Sequence, residues 1–522
     1  MLDLQKKLDA PTLLLLGGIV FWVALYAFIG PQPFGGDGFY FKDVAINFIN
    51  GMGFKEIAGP GNPTLTEYKY YATYPPVYSL LYTIYVFVFG VGDYQNTYFN
   101  LLLQIIRSVF LFIIIVKYTA DWTPSQKLII TGSLILFIPI HASYDRYDRP
   151  EDLVAVLFLL SLLLYLRQQH KIAFLVAGLN LMTSIVCGLI SAVILSSIYF
   201  YDVFRERVEW KTLIEKSYPV LYMLVFPVII IAILAFLDTS IFERWYEYFK
   251  YMTERHRPSS LGYIKEVLLT KQFTFIAPLF CFYLIVFWGL FVSALEYRFS
   301  DKNLAFFTFA LIVIIFFLNW QGRSHYYWFF SAIGLTVGIY LMMRDVEQVK
   351  EIRQRGFWVC IGLILLLTFP RVLARDIYVR TVPMNSGKYK NAKEQVESFF
   401  KDKPDNEFIL LGDPKYYFFV KSLKTKVALN DGYFYLEDKS NFPRYVVTTS
   451  TTRDSIISFK QYKPRLIASE VEKTCLYRKV FETEKSVPNP QNTFWERLLM
   501  RPHETWYPVI YERIDEQQTH IP

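Results

Sequence analysis

Cysteine and histidine are scarce in this chain, with four and six respectively among 522 residues. Cys187, Cys281 and Cys360 lie within apolar runs, and Cys475 stands alone in a polar tail. With no CxxC pair and no Cys/His cluster, zinc-site spacing is excluded and no disulfide framework can staple the tail. The one Asn-x-Ser/Thr match, Asn62-Pro63-Thr64, is disqualified by its proline. The first apolar segment follows Lys6 and Lys7 without a small-residue cleavage site, so it is expected to be a retained span and not a removed signal peptide. There is no internal repeat and no low-complexity tract. No basic face interleaved with aromatics is found either, so the net charge of +8 does not read as a nucleic-acid footprint.

What the chain has is hydrophobic length. It is 53% hydrophobic and 18% aromatic, with a mean hydropathy of +0.27. Soluble chains sit at roughly 45–50% apolar with few long apolar runs, so the class is a polytopic membrane protein, mainly α. A spanning helix needs about 20 apolar residues. The runs that qualify are 11–30, 98–117, 127–141, 151–167, 172–185, 186–202, 218–237, 273–295, 304–320, 325–343 and 357–370. That makes about eleven spans, with 172–202 open to reading as one long helix or two. Residues 75–90, PPVYSLLYTIYVFVFG, are also apolar.

Loop charge decides how 75–90 is read. If it lies at the interface and does not cross, then Lys117/Lys127, Arg167/Lys171, Arg205/Arg207/Lys211/Lys216, Arg298/Lys302 and Arg344/Lys350/Arg353/Arg355 all share the side of Lys6 and Lys7. That is the positive-inside pattern, which a crossing at 75–90 would break at once. Tyr78, Tyr82 and Tyr85 also suit an interfacial helix. The membrane part is then 1–370. The remainder, 371–522, changes to short strand-like runs (408–411, 445–447, 466–468) between helix-competent stretches, the pattern of an extramembrane α/β domain.

The segments placed outside carry the unusual residues. The first contains GGDGFYFKDVAINFINGMGFKE and ends in YKYYATYPPVY; the second is HASYDRYDRPED; the third is FERWYEYFKYMTERHRPSS; the fourth is NWQGRSHYYW. Charges at the mouth of a helix bundle are costly to desolvate and mark either a substrate path or a pairing network. Arginine beside tyrosine suits a phosphate, while an acid left unpaired is available as a base.

Asp37, Tyr40, Ala45, Gly51, Gly53 and Phe54 follow the order of a known loop signature. The stretch DGFYFKDVAINFINGMGF resembles the first outer loop of GT-C membrane glycosyltransferases that use polyprenyl-phosphate sugars. That superfamily includes the protein O-mannosyltransferases and the lipid A aminoarabinose transferase. YPPVYSLLY resembles the Pro-Pro segment that opens its juxtamembrane helix, RPEDLVAVLFLL its second acidic motif, and LVAGLNLMTSIVCGLISAVIL its glycine-rich helix pair. The likeness covers about the first 200 residues in motif and the rest in layout. Two positions depart from the pattern: Gly38 stands where a second acid is usual, and Ser184 where a lysine is expected.

The resemblance implies transfer of a sugar from a lipid phosphate to an acceptor glycan, lipid or protein, with inversion, in the bacterial inner membrane. With the resemblance Asp37 becomes the candidate base; position alone favours the N-cap of a helix beginning near Tyr40. Asp43 is expected to pair at the surface with Lys42 or Lys55. Asp148 and Glu151 are candidates for orienting acceptor or sugar, with Arg146 and Arg149 neutralising charge; the plainer reading makes Arg149 or Asp148 the cap of a helix with Glu151 and Asp152 in its first turn. Lys69, Arg255, Arg257 and Arg323 are the candidate phosphate contacts, or else ordinary headgroup contacts. Tyr40 and His325 complete the candidate substrate set. No cofactor is called for, although loop carboxylates are compatible with a divalent cation. The alternative is a transporter or lipid flippase, which calls for ionisable groups at mid-membrane and interrupted helices in matching halves.

Overall fold

The computed structural model describes residues 9–29, 38–56, 68–71, 74–118, 150–205 and 210–246, with isolated positions between 124 and 131. In the C-terminal part it describes 388–411, most of 416–429, 443–449, 477–482 and 508–514. The expected spans beyond residue 273, and nearly all of 127–141, lie outside the described residues.

The chain opens with α1 (Ala10–Ile29), a 20-residue helix. At 1.5 Å per residue it is about 30 Å long, the thickness of a hydrocarbon core. Helix α2 (Gly38–Ile49) follows, then a two-residue antiparallel pairing of β1 (Lys55–Glu56) with β2 (Lys69–Tyr70). Helix α3 (Val77–Phe89) has 13 residues, about 20 Å, too short to cross. Its inner side buries Tyr78, Tyr82 and Val86, while Ile84, Phe87 and Phe89 face outward. The longer helices α4 (Asp93–Tyr118), α5 (Glu151–Leu166), α6 (His170–Leu181) and α7 (Ile185–Arg205) come next. The run 172–202 is therefore two helices, broken at 182–184. Helix α8 (Trp210–Leu221) passes through a 3-10 turn (Tyr222–Leu224) into α9 (Val225–Leu237). The 23 residues Glu215–Leu237 have a mean hydropathy of 3.0, and among the described residues this is the helix that meets both the length and the hydropathy of a membrane span.

Two packings follow from side-chain pattern. The bundle core joins Trp22 of α1, Leu101 and Leu111 of α4, Val154, Phe158 and Leu162 of α5, Phe174 and Ala177 of α6, and Leu195 and Tyr199 of α7. The outward faces are also apolar: Val20 and Phe21 on α1, and Val228, Ile233 and Phe236 on α9, are exposed. A surface apolar on both its inner and outer sides is matched to hydrocarbon and not to water.

Gly178 shows how close the helices come. A Cβ on it would meet the Met223 carbonyl oxygen at 2.2 Å. Pro227, four residues after Met223, has no N–H to give that carbonyl, so it is left pointing at α6. Only glycine leaves room for it.

The C-terminal part is an α/β unit. Helix α10 (Lys388–Lys401) and short helix α11 (Tyr417–Lys421) accompany a five-stranded sheet of β3 (Ile409–Leu411), β4 (Val427–Leu429), β5 (Tyr445–Thr449), β6 (Tyr477–Glu482) and β7 (Pro508–Arg513). The strand order is β4-β3-β5-β7-β6. β3 is parallel to both its neighbours, and β7 is antiparallel to β5 and β6. All three residues of β3 are buried, as a parallel strand covered on both faces should be. Of the expected strands, 408–411 and 445–447 coincide with β3 and β5; 466–468 lies outside the described residues. A second core links this sheet to the first loop: Tyr40 and Ile46 of α2 pack with Val396, Phe400, Tyr417, Val420 and Val446.

The close approach at Gly178 is testable. Gly178→Val should lower the thermal midpoint of the detergent-solubilised chain by an amount matching about 1–3 kcal/mol of overpacking, and Gly178→Ala by less. Intrinsic tryptophan fluorescence on heating reads both.

Candidate active site

Helix α2 is the centre of the first loop, and its ends are set by chain chemistry. At its C-terminus Met52 N–H donates to the Asn47 carbonyl (2.9 Å) and Gly51 N–H to Phe48 (3.1 Å). Gly51 has φ +80°. That is a Schellman stop, and it gives the Gly-x-Gly of the signature a structural reason: Gly51 must be left-handed. The next residues turn into β1, and Tyr71 N–H returns to the Phe54 carbonyl at 3.2 Å.

One face of α2 packs against α3. Phe41 and Ala45 share a buried cluster with Tyr78, Tyr82 and Val86, with Phe99 and Leu103 of α4, and with Leu153 and Leu157 of α5. Phe41 meets Tyr74 at a tilt (ring centroids 4.6 Å apart) and Tyr78 edge-on at 5.3 Å. The Val77 N–H donates to the Met182 carbonyl (3.1 Å), tying the start of α3 to the break between α6 and α7. The first loop, the start of α5 and the α6–α7 break thus meet around one aromatic core.

The opposite face of α2 carries the charge. Asp43 is buried and accepts hydrogen bonds from the Tyr417 hydroxyl (2.6 Å) and from Asn47 Nδ2 (2.9 Å). Lys421 Nζ lies 3.4 Å from the same carboxylate. Asn47 also donates to the Lys55 carbonyl at 2.9 Å. Burial, and then the Asp43 charge, push the Tyr417 hydroxyl well above the ordinary phenol range, so it stays a donor. Burial lowers the Lys421 ammonium, opposed by Asp43. Lys42, also buried, places its Nζ 5.2 Å over the Tyr82 ring. The expectation of surface pairing for Asp43 is corrected: it is buried and held by a helix 374 residues away in the chain.

A second clamp holds the β1–β2 pairing. Arg244 donates to the Tyr70 carbonyl (2.9 Å) and to Asp238 (2.7 Å), with Glu56 at 3.8 Å. Within the bundle, Arg107 of α4 donates to Asp152 of α5 (2.9 Å), and Gln104 donates to its other oxygen (3.4 Å). Among the described residues no group of three His, Cys, Asp or Glu gathers to hold a metal.

The sequence-derived candidates fall as follows. Tyr40 is buried in the core shared with the C-terminal sheet, 6.4 Å from the Tyr74 ring. Lys69 is half-buried on β2, in register with Glu56. Glu151 is half-buried in the first turn of α5, beside Asp152. The cap position of α5 is Pro150, not Arg149 or Asp148 as expected: the Val154 N–H bonds the Pro150 carbonyl at 2.9 Å. Proline's fixed φ starts the helix there without a side-chain cap. Asp37, Asp148, Arg146, Arg149, Arg255, Arg257, Arg323 and His325 lie outside the described residues. Asp43 was considered only as a surface residue, Arg244 only as one charge of an outer segment and Asp152 only as a first-turn acid; Tyr417, Lys421 and Arg107 were not singled out from sequence. A signal existed for the last of these, since a lone arginine in mid-helix of an apolar run must find a carboxylate.

This architecture, a helix bundle with a juxtamembrane aromatic loop and a terminal α/β unit, is the GT-C fold. The crystal structure of ArnT from Cupriavidus metallidurans in the apo state matches with a TM-score of 0.54 at 11% identity, covering 96% of this chain and 98% of that one. ArnT from the same organism bound to undecaprenyl phosphate matches with a TM-score of 0.51 at 12% identity and the same coverage. No protein-family model and no curated protein matches the sequence.

The Arg244 clamp gives a prediction. Arg244→Ala removes the guanidinium from the Tyr70 carbonyl and the Asp238 carboxylate and should cost about 1–3 kcal/mol, the range for charged hydrogen bonds lost at a part-buried site. Arg244→Lys should recover only part, because one ammonium cannot serve three acceptors at a fork's spacing. Chemical or thermal unfolding of the purified chain measures both.

Proposed function

We propose that the chain is an integral membrane glycosyltransferase that moves a sugar from a polyprenyl-phosphate donor to an acceptor on the outer side of a bacterial inner membrane. The observation that carries this reading is the chain-long match of fold to ArnT, a protein whose structure is also known with undecaprenyl phosphate bound. The loop signature around Asp37 supports it independently.

In this reading residues 1–370 form the catalytic bundle and 371–522 the external domain, with the N-terminus cytoplasmic. Asp37 directly precedes the first residue of α2 in the chain. It takes the proton of an acceptor hydroxyl or amine as that atom attacks the anomeric carbon. The bond from that carbon to the phosphate oxygen breaks on the opposite face, the configuration inverts, and polyprenyl phosphate leaves with the electron pair. Developing charge on the phosphate calls for cations: Lys69, Arg255, Arg257 and Arg323 take that role, with His325 donating beside them. Glu151, Asp148, Arg146 and Arg149 orient sugar or acceptor, and Tyr40 supports the loop from within.

Asp37→Asn should reduce release of polyprenyl phosphate from a lipid-linked sugar by about 100-fold or more, at unchanged membrane abundance, the scale of a lost general base. Full transfer by this variant would remove Asp37 from the mechanism.

A further inference from the structure

The buried contact between α2 and α11 does something that packing alone does not require. Asp43 sits on the same face of α2 as Tyr40 and Asn47, three and four residues away. Tyr40 and Ile46 already give α2 an apolar contact with the C-terminal core. Burying a carboxylate and an ammonium beside it is expensive, and an apolar pair of equal volume often does as well or better for stability. What the charged pair adds is direction. Tyr417 and Lys421 are spaced i, i+4, so both reach one carboxylate only when α11 and α2 stand in one mutual orientation. Helix α2 has 12 residues, a length marginal on its own in water.

We propose that Tyr417 and Lys421 are positioning residues: through Asp43 they hold α2 in the orientation that sugar transfer requires. The C-terminal sheet is then a working part of the site and not a cover over it. The functional half of this inference rests on the transferase reading; the lock itself does not.

The test uses the full chain in lipid nanodiscs, with Lys421→Met, Tyr417→Phe and the double variant Asp43→Asn/Lys421→Met. Hydrogen–deuterium exchange across residues 38–49 reads the lock without any substrate. Lys421→Met should speed exchange in α2 by about tenfold while α4 and α5 keep their protection. With a lipid-linked sugar as donor, it should also lower kcat by about tenfold while KM for the donor stays within about threefold. The double variant leaves no unpaired charge and should regain thermal stability, but without the ion pair it should keep the faster α2 exchange and the lower kcat. Tyr417→Phe keeps the ring and the ion pair, loses one hydrogen bond, and should show a smaller change in the same direction; it decides the matter if Lys421→Met does not fold. Unchanged α2 exchange in the folded variants overturns the lock. Faster exchange with wild-type kcat overturns the positioning role. A double variant with wild-type α2 exchange and kcat overturns the claim that the ion pair sets the orientation. If wild-type protein releases no polyprenyl phosphate, the transferase reading fails and takes the positioning role with it, while the exchange data still decide the lock.

Discussion

A carboxylate removed from water must be answered by charge and hydrogen bonds, and in this chain the answer to Asp43 comes from the far end of the sequence. Tyr417 at 2.6 Å and Lys421 at 3.4 Å satisfy it from one short helix, and Asn47 from its own. Around that contact the first loop acquires fixed geometry. Phe41 and Ala45 seat α2 on α3, Gly51 ends it, and Arg244 secures the strand pair that follows. Take the carboxylate's partners away and the loop keeps its apolar contacts but loses the one that sets its angle.

The loop also shows how polar and apolar forces divide the work. The aromatic run from Tyr74 to Phe99 supplies area: rings at 4.6–5.6 Å, meeting tilted or edge-on, fill the space between α2, α3 and α4. Such contacts tolerate small rotations. The ion pairs Asp43–Lys421, Arg244–Asp238 and Arg107–Asp152 do not, since each has a narrow distance range and a costly unpaired state. One gathers the loop to the C-terminal sheet, one aligns, within the segment after α9, the arginine that holds the Tyr70 carbonyl, and one joins α4 to α5.

Much of the fold was legible because hydrocarbon demands it. The runs at 11–30, 98–117, 151–167 and 218–237 each contain a helix, and the positive charges flanking them argued for α3 as a helix too short to cross. The strands at 408–411 and 445–447 showed as β-branched and aliphatic runs, whereas β6 did not, because an edge strand carries mixed residues such as YRKVFE; β4 and β7 offer apolar runs too short to stand out. The polar contacts were the harder part. Lys42 and Asp43 look like a solvated pair on a local helix, and nothing within ten residues of them points to Tyr417. Asp152 next to Glu151 likewise read as a dipole-favouring acid of a first turn, and only the third dimension brings Arg107 to it. Local pattern reports which face is buried; it does not report which distant side chain shares that face.

The order of strands in the sheet has a further consequence for how the molecule is made. β7, the last of the described strands in chain order, is not at an edge but lies between β5 and β6. The sheet therefore stays split until the ribosome has delivered residues 508–513, long after α2 has emerged. During that interval an early helix carries a carboxylate whose counter-charges sit on an unfinished scaffold. Premature termination before residue 508 would be felt at position 43, so a lesion in the sheet would be expressed as a defect in the first loop.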